Sequence, residues 1–220
     1  MLIWQYIPAY NMRIHAEVLL QHRRDSVAAY AAGYDCAGVI QHDCDLVALR
    51  NRAVHQAIQA GARYLFSQDS DTWSPMPSGP LIPMIETCEE TNAAAVFAMV
   101  TMRTRPPKAN MWPCKPGEVY DIEKGGTGLF LLDLNRIRRW YEEVPAPLFQ
   151  RIYTTNHCHT PAIGLDIYLC RFLRDRGERI VCDGRIPTCH ADSTHVHEYS
   201  PEEYLDKPRA STAEQPEATK

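Results

Sequence analysis

Three absences narrow the reading of this chain before any motif is considered. No apolar run approaches the roughly 20 residues that span a bilayer, so membrane insertion is not expected. There is no excess of positive charge: 23 Lys and Arg stand against 27 Asp and Glu, a net of −4. Nucleic-acid binding, if it occurs, must therefore use a local patch. No two of the eight cysteines form a CxxC pair, and in a reducing compartment such scattered cysteines are free thiols packed as small apolar groups. The late His and Cys residues, from His157 to His197, fit no standard zinc-finger spacing. The opening MLIWQYIPAYN lacks the basic region and long apolar core of a secretion signal. The expected compartment is the cytoplasm, that of the host for a viral protein. No internal repeat is found.

What is present is an ordinary globular composition, 45% hydrophobic over 220 residues, with strand and helix patterns in alternation. Leu2 to Ile7, Ala37 to Gln41, Tyr64 to Ser67, Ala94 to Val100, Leu129 to Leu132 and Arg179 to Cys182 are short runs that read as strands, the first and fourth of them buried. Helices are expected over Met12 to Ala32, with Ile14, Val18, Leu19 and Ala28 as its apolar positions, over Leu46 to Ala60, Leu81 to Thr91 and Asp166 to Arg176, and after Leu132. Gly33, Gly61 and Gly177 stop three of them. This alternation predicts an α/β fold with a mostly parallel central sheet. One domain over 1–205 is expected, followed by a polar, Pro-containing, disordered tail from 206 to 220. The Pro- and Arg-rich stretch 103–117 is read as a long loop.

The stretch FSQDSDTW places Asp69 and Asp71 one residue apart where an apolar strand ends. Like charges that close repel, so the pattern suits either a solvated turn or a cation. In parallel sheets, ligands bind at the carboxyl ends of strands. Mg²⁺ or Mn²⁺ accepts one or two carboxylates and completes its shell with phosphate oxygens.

The segment ALRNRAVHQAIQAGARYLFSQDSD resembles the corresponding stretch of GT-A glycosyltransferases, particularly the family 2-like enzymes. IPAYN at 7 to 11 is similar to their nucleotide-binding first loop, GGTGLFLLD at 125 to 133 to their acceptor-side turn, and GLDIYLCRFLRDRGERI at 164 to 180 to their acceptor-base helix. The resemblance implies a GT-A, Rossmann-like three-layer sandwich and transfer of a sugar from a nucleotide-diphosphate sugar, a UDP-sugar first of all, to an acceptor hydroxyl. It implies that Asp71 ligates Mn²⁺ or Mg²⁺, with Asp69 on the metal or ribose and His190 as a third ligand. It further implies that Pro8, Ala9 and Tyr10 border the nucleotide, that Arg50, Asn51, Gly126 and Asp43 (or Asp45) face it, and that Asp166 is the general base of an inverting hexosyltransferase. One departure stands out. Where the family has Glu-Asp, this chain has Leu165-Asp166.

Arg103, Arg105 and Lys108, with Arg136, Arg138, Arg139 and Arg151, suggest local basic patches. They resemble small phage-type enzymes that glycosylate hydroxymethylated bases, so modified DNA is an expected acceptor. Two other classes remain open: a metal-dependent nucleotidyl- or phosphotransferase, and a non-catalytic sugar- or nucleic-acid-binding module on the same fold. Asp166 could also serve only as a helix cap.

Overall fold

The structure is a computed structural model that describes residues 1–9, 13–42, 45–102, 108–143, 147–153, 161–192 and 195–201. The predicted tail and the domain boundary at 205 lie outside them. In chain order the elements are β1 (Leu2–Pro8), α1 (Ala16–Ala31), β2 (Asp35–Gln41), α2 (Leu46–Gln59), β3 (Tyr64–Gln68), β4 (Thr72–Trp73), α3 (Leu81–Thr91), β5 (Ala95–Ala98) and β6 (Thr101–Met102). They continue with β7 (Lys108–Ala109), β8 (Met111–Trp112), β9 (Val119–Asp121), β10 (Lys124–Gly125), β11 (Leu129–Asp133) and α4 (Leu134–Glu143). The last are β12 (Ile152–Tyr153), β13 (Pro161–Ile163), α5 (Leu165–Arg174), β14 (Ile180–Asp183), β15 (Thr188–Ala191) and β16 (Val196–Tyr199). Among the described residues no helix is long and apolar enough to cross a membrane.

Seven strands form the central sheet in the order β2-β1-β3-β11-β5-β14-β9. Five run one way; β11, between β3 and β5, and β9, at the edge, run the other. The fold is thus mixed α/β with a mostly parallel sheet, as the alternation predicts. Burial on both faces explains the unbroken apolar runs of β1, β3, β5, β11 and β14; the edge strand β2 has no fully buried residue. In β11, Phe130 and Leu132 join the cluster with α2, α4 and α5, while Leu129 and Leu131 join the opposite cluster with α3 and Ala29 of α1.

The reversed direction of β11 matters for the site. Its amino end, preceded by Gly126-Thr127-Gly128, lies beside the carboxyl end of β3, where Leu129 pairs with Gln68 and Asp69 N–H donates to Gly128 O at 2.8 Å. A three-stranded sheet, β16-β15-β4, stands at the same edge.

Helix α1 departs from expectation. It begins at Ala16, capped by the His15 ring; of the predicted apolar set Val18 is buried, but Leu19 faces outward, and the other buried residues are Gln21, Asp25 and Ala29. The reason is hydrogen bonding. Asp25 accepts from Leu81 N–H at the start of α3 (3.1 Å) and from Gln21 Nε2 (3.0 Å), and Gln21 Oε1 accepts from Ser74 N–H. Gly79, at φ +74°, is required there, because a Cβ would fall 2.0 Å from Asp25 Oδ1.

Burial pushes the Asp25 carboxyl up to about 7 from its ordinary 3.8, against the pull of its hydrogen bonds. With the folded value raised, the folded state keeps a proton that the unfolded chain has released, so stability falls as pH rises from about 4 to about 7. Urea unfolding of wild type and Asp25→Asn at pH 4.5, 6 and 7.5 should show their difference in stability changing by a few kcal/mol in that direction. A pH-independent difference would exclude titration of Asp25.

Candidate functional site

The site is built where β1, β3 and the turn before β11 meet the amino ends of α2 and α5. Arg50, one turn into α2, is its hub, with its side chain 2% exposed. Its Nη2 donates to Asp69 Oδ1 at 2.7 Å and to Thr127 O at 3.1 Å; its Nη1 donates to Asp166 Oδ1 at 3.1 Å and to the Thr127 hydroxyl. The Thr127 hydroxyl in turn donates to Asp166 Oδ1 at 2.5 Å. The guanidinium carbon lies 5.7 and 5.6 Å from the ring centres of Phe130 and Phe149, an apolar and cation–π floor.

This geometry fixes the charges. Burial opposes the cation of Arg50, but Asp69 and Asp166 outweigh it and hold the guanidinium charged. Asp69 is pushed up to about 6, first by desolvation and then by Asp71 and Asp166, although Arg50 pulls it down. Tyr6 on β1 presents a buried hydroxyl whose pKa is raised by burial; Arg50 and Asp69 act on it electrostatically, and it has no hydrogen-bond partner among the described residues.

Asp71 belongs to a second group. Its backbone carbonyl accepts from Ala191 N–H at 2.8 Å, tying it to β15. Thr72 pairs with His190 across β4 and β15, which brings His190 Nε2 to 3.6 Å from Asp71 Oδ1. His190 Nδ1 lies 2.8 Å from Thr101 O. A carbonyl can only accept, so Nδ1 carries the proton and Nε2 is the nitrogen that faces Asp71. A histidine that ligates a metal through Nε2 is commonly held by such an Nδ1–H bond to a carbonyl. The 3.6 Å gap is too long for a hydrogen bond and close to the roughly 3 Å between adjacent ligands of a six-coordinate ion. Among the described residues no group of three or more His, Cys, Asp or Glu comes together as a metal cage. An imidazole and a carboxylate fit a divalent ion that takes its remaining oxygens from elsewhere, as from a diphosphate.

The other predicted residues fall into place unevenly. Pro8 ends β1, and Ala9, buried, donates its N–H to Gln41 O at 2.7 Å; both lie at the carboxyl edge. Tyr10 and Asp43 lie outside the described residues. Asp45 caps α2, accepting from Val47 N–H at 2.9 Å. Asn51 does not turn toward the carboxylates. Its amide donates to Val47 O and Phe149 O, and its Oδ1 accepts from Phe149 N–H, so one donor hydrogen and the carbonyl oxygen hold the segment carrying Phe149 against α2. Arg50 lies beneath the carboxylates rather than presenting itself to a ligand. Gly126 N–H donates to Asn110 O, and a Cβ there would sit 2.4 Å from Asn110 Nδ2, so this approach demands glycine. Asp166, 39% exposed, occupies the first turn of α5, whose cap Gly164 supplies no side-chain bond.

Thr127 and Tyr6 were not singled out from sequence. Nothing local marks either: Thr127 is one residue within a glycine turn, and its role arises only when α2 and α5 converge on it.

No protein-family model and no curated protein sequence matches this chain. Comparison with solved structures gives a different result. The fold is shared with A197 from STIV. The superposition has a TM-score of 0.61, covers 92% of this chain and 91% of that one, and carries 14% sequence identity, so the likeness is one of fold. A glycosyltransferase involved in glycosylation of the major capsid of PBCV-1 aligns at a TM-score of 0.34 with 16% identity over 67% of this chain and 69% of that one; at that score the alignment settles nothing about fold or activity.

Proposed function

We propose that this chain is a GT-A-type glycosyltransferase that moves a sugar from a nucleoside diphosphate sugar, a UDP-sugar in the first instance, to an acceptor hydroxyl with inversion. The observation that carries the reading is the bridge through Arg50. Asp69, from the DSD turn that the family resemblance assigns to the donor, and Asp166, from the helix that it assigns to the acceptor, are far apart in sequence yet bind one guanidinium. Donor and acceptor chemistry need to be this close, since reacting atoms must approach to about 3–3.5 Å.

The roles follow from position. Asp71 and His190 would hold Mn²⁺ or Mg²⁺, which neutralises charge on the diphosphate when bound. Asp166 takes the proton of the acceptor hydroxyl as its oxygen bonds to the anomeric carbon; the bond from that carbon to the diphosphate oxygen breaks, and the electron pair leaves with the nucleotide. Thr127 and Arg50 both bond Oδ1 of Asp166, orienting the carboxylate so that Oδ2 can take that proton. Pro8 and Ala9 border the nucleotide at the end of β1.

The test is hydrolysis of UDP-sugars with Mn²⁺ and no acceptor, preceded by a thermal-shift screen. A shift that needs both metal and nucleotide sugar, with slow release of UDP, is expected. Binding without turnover toward any acceptor would make the chain a binding module. The rival phosphotransferase gains nothing from Asp45, whose carboxylate is engaged in capping α2.

A DNA acceptor must be held by fewer cations than the sequence suggested. Arg136 and Arg139 of α4 bond the fully buried Glu178 at 2.9 and 2.6 Å, so they brace the fold. Arg103 and Arg105 lie outside the described residues; with Lys108, Arg138 and Arg151 they are the remaining cations proposed to contact phosphates. If hydroxymethylated duplex is the acceptor, labelled transfer should fall by at least tenfold between about 50 and 200 mM salt, and Arg103→Ala with Arg105→Ala should flatten that dependence. Salt-insensitive transfer would discard phosphate recognition by these arginines.

A further inference from the structure

Helix α1 carries apolar residues on its outer face. Its core side carries Val18, Gln21, Asp25 and Ala29, while Leu19, Leu20, Val27 and Tyr30 lie outward, Val27 64% and Tyr30 80% exposed. With the exposed Arg23 these residues fall at 19/20, 23, 27 and 30, the three-and-four spacing of a single stripe along a helix and the seam by which helices pair. A solvated helix face normally carries charge, and a stripe this apolar costs solubility unless it is covered.

We infer that this stripe is the interface of a homodimer in which α1 packs antiparallel against α1 of a second copy. The face is self-complementary about a two-fold axis near the level of Asp25. Antiparallel pairing there sets Leu20 of one copy over Tyr30 and Ala31 of the other, and Arg23 over Val27. The methylene stem of Arg23 can cover Val27 while its head reaches the Tyr30 ring of the second copy. A shallow groove of about 310 Å³ beside the stripe, lined by Arg23, Arg24, Val27, Ala28, Ala31 and the Pro77-Ser78 turn, receives Leu20 from the second copy. The side chains in the stripe bury on the order of 1,000 Å² for the pair, the lower bound of a specific interface. The dimer is therefore expected to dissociate in the micromolar range. This inference stands independently of the transferase reading.

Sedimentation equilibrium from about 1 to 100 μM tests it. Wild type should fit a monomer–dimer equilibrium. Tyr30→Ala should raise Kd at least tenfold, because Tyr30 is the largest and most exposed hydrophobic side chain of the stripe and its ring meets both Leu20 and Arg23 of the second copy. Val27→Arg, which would set cations of both copies together, should raise Kd at least tenfold above Val27→Glu, whose carboxylate would meet Arg23 of the second copy. Outward side chains contribute nothing to the core, so at about 1 μM, where the dimer adds little to stability, the three variants should retain wild-type Tm and circular dichroism, which verifies folding. A wild type that stays monomeric to 100 μM overturns the dimer. A dimer indifferent to Tyr30→Ala places its interface elsewhere, and equal Kd for Val27→Arg and Val27→Glu overturns the antiparallel register.

Discussion

Replacing Asp71 by Ala is expected to abolish the metal-dependent part of UDP binding and to lower sugar transfer by roughly 10²–10³, the effect of losing several kcal/mol of charge stabilisation on the departing diphosphate. The fold should survive. What ties residue 71 to β15 is its backbone carbonyl, bonded to Ala191 N–H, which the substitution leaves in place. The carboxylate is partly exposed and accepts from the adjacent Thr72 hydroxyl at 3.4 Å. Calorimetry of UDP with Mn²⁺, and again after EDTA, reads the effect directly. Wild type should bind at least tenfold more tightly with metal; the variant should show no difference, with Tm within about 2 °C. His190→Ala should act in the same direction but less strongly, since an imidazole is the neutral member of the pair. Wild-type affinity that is the same after EDTA would remove the metal from the account and leave the DSD turn as a solvated feature.

Much of the architecture could be read from the chain because it rests on local rules. α3 spans Leu81–Thr91 as expected, and the three helix-stopping glycines, Gly33, Gly61 and Gly177, all adopt positive φ. Strands buried on both faces are continuous apolar runs, and those run where they were expected. The small sheet was not legible. β15 and β16 contain histidines, threonine and glutamate, and they are strands because β4 and each other's backbones pair with them, not because of any period in their residues. The Asp71–His190 pair depends on that cross-strand register, although the fold resemblance placed the two together. On α1 the rule that apolar residues lie inside failed, because two buried polar side chains serve the backbone of α3 and the 74 turn. Arg50 was recognised as a site residue but its partners were not: a charge so deeply buried needs partners on several sides, and those partners, Asp69, Asp166 and Thr127, come from three separate segments.

Asp166→Asn is expected to lower turnover by roughly 10²–10⁴, the usual contribution of a positioned base, while leaving the affinity for UDP and metal within about threefold. The separation follows from where the residue sits. Asp166 meets the donor-side residues only through Arg50, and an amide at 166 can still accept from Arg50 and Thr127, so the site should keep its shape. What it loses is an oxygen able to take a proton. Thr127 refines the expectation. Its hydroxyl donates to the same oxygen that Arg50 holds; Thr127→Val removes a hydrogen bond to a charged group, worth about 1.5–3 kcal/mol, and should lower turnover by about tenfold or more without weakening donor binding. Thr127→Ser keeps the hydroxyl and should restore most of the rate, which a purely packing role for the methyl group would not allow. The measurement is single-turnover transfer from labelled UDP-sugar at saturating donor, beside calorimetric UDP affinity for each variant. Near-normal turnover in Asp166→Asn would discard the base and make a retaining displacement the better account. Turnover lost in Thr127→Ser as fully as in Thr127→Val would discard the orienting hydroxyl while leaving Asp166 in its role.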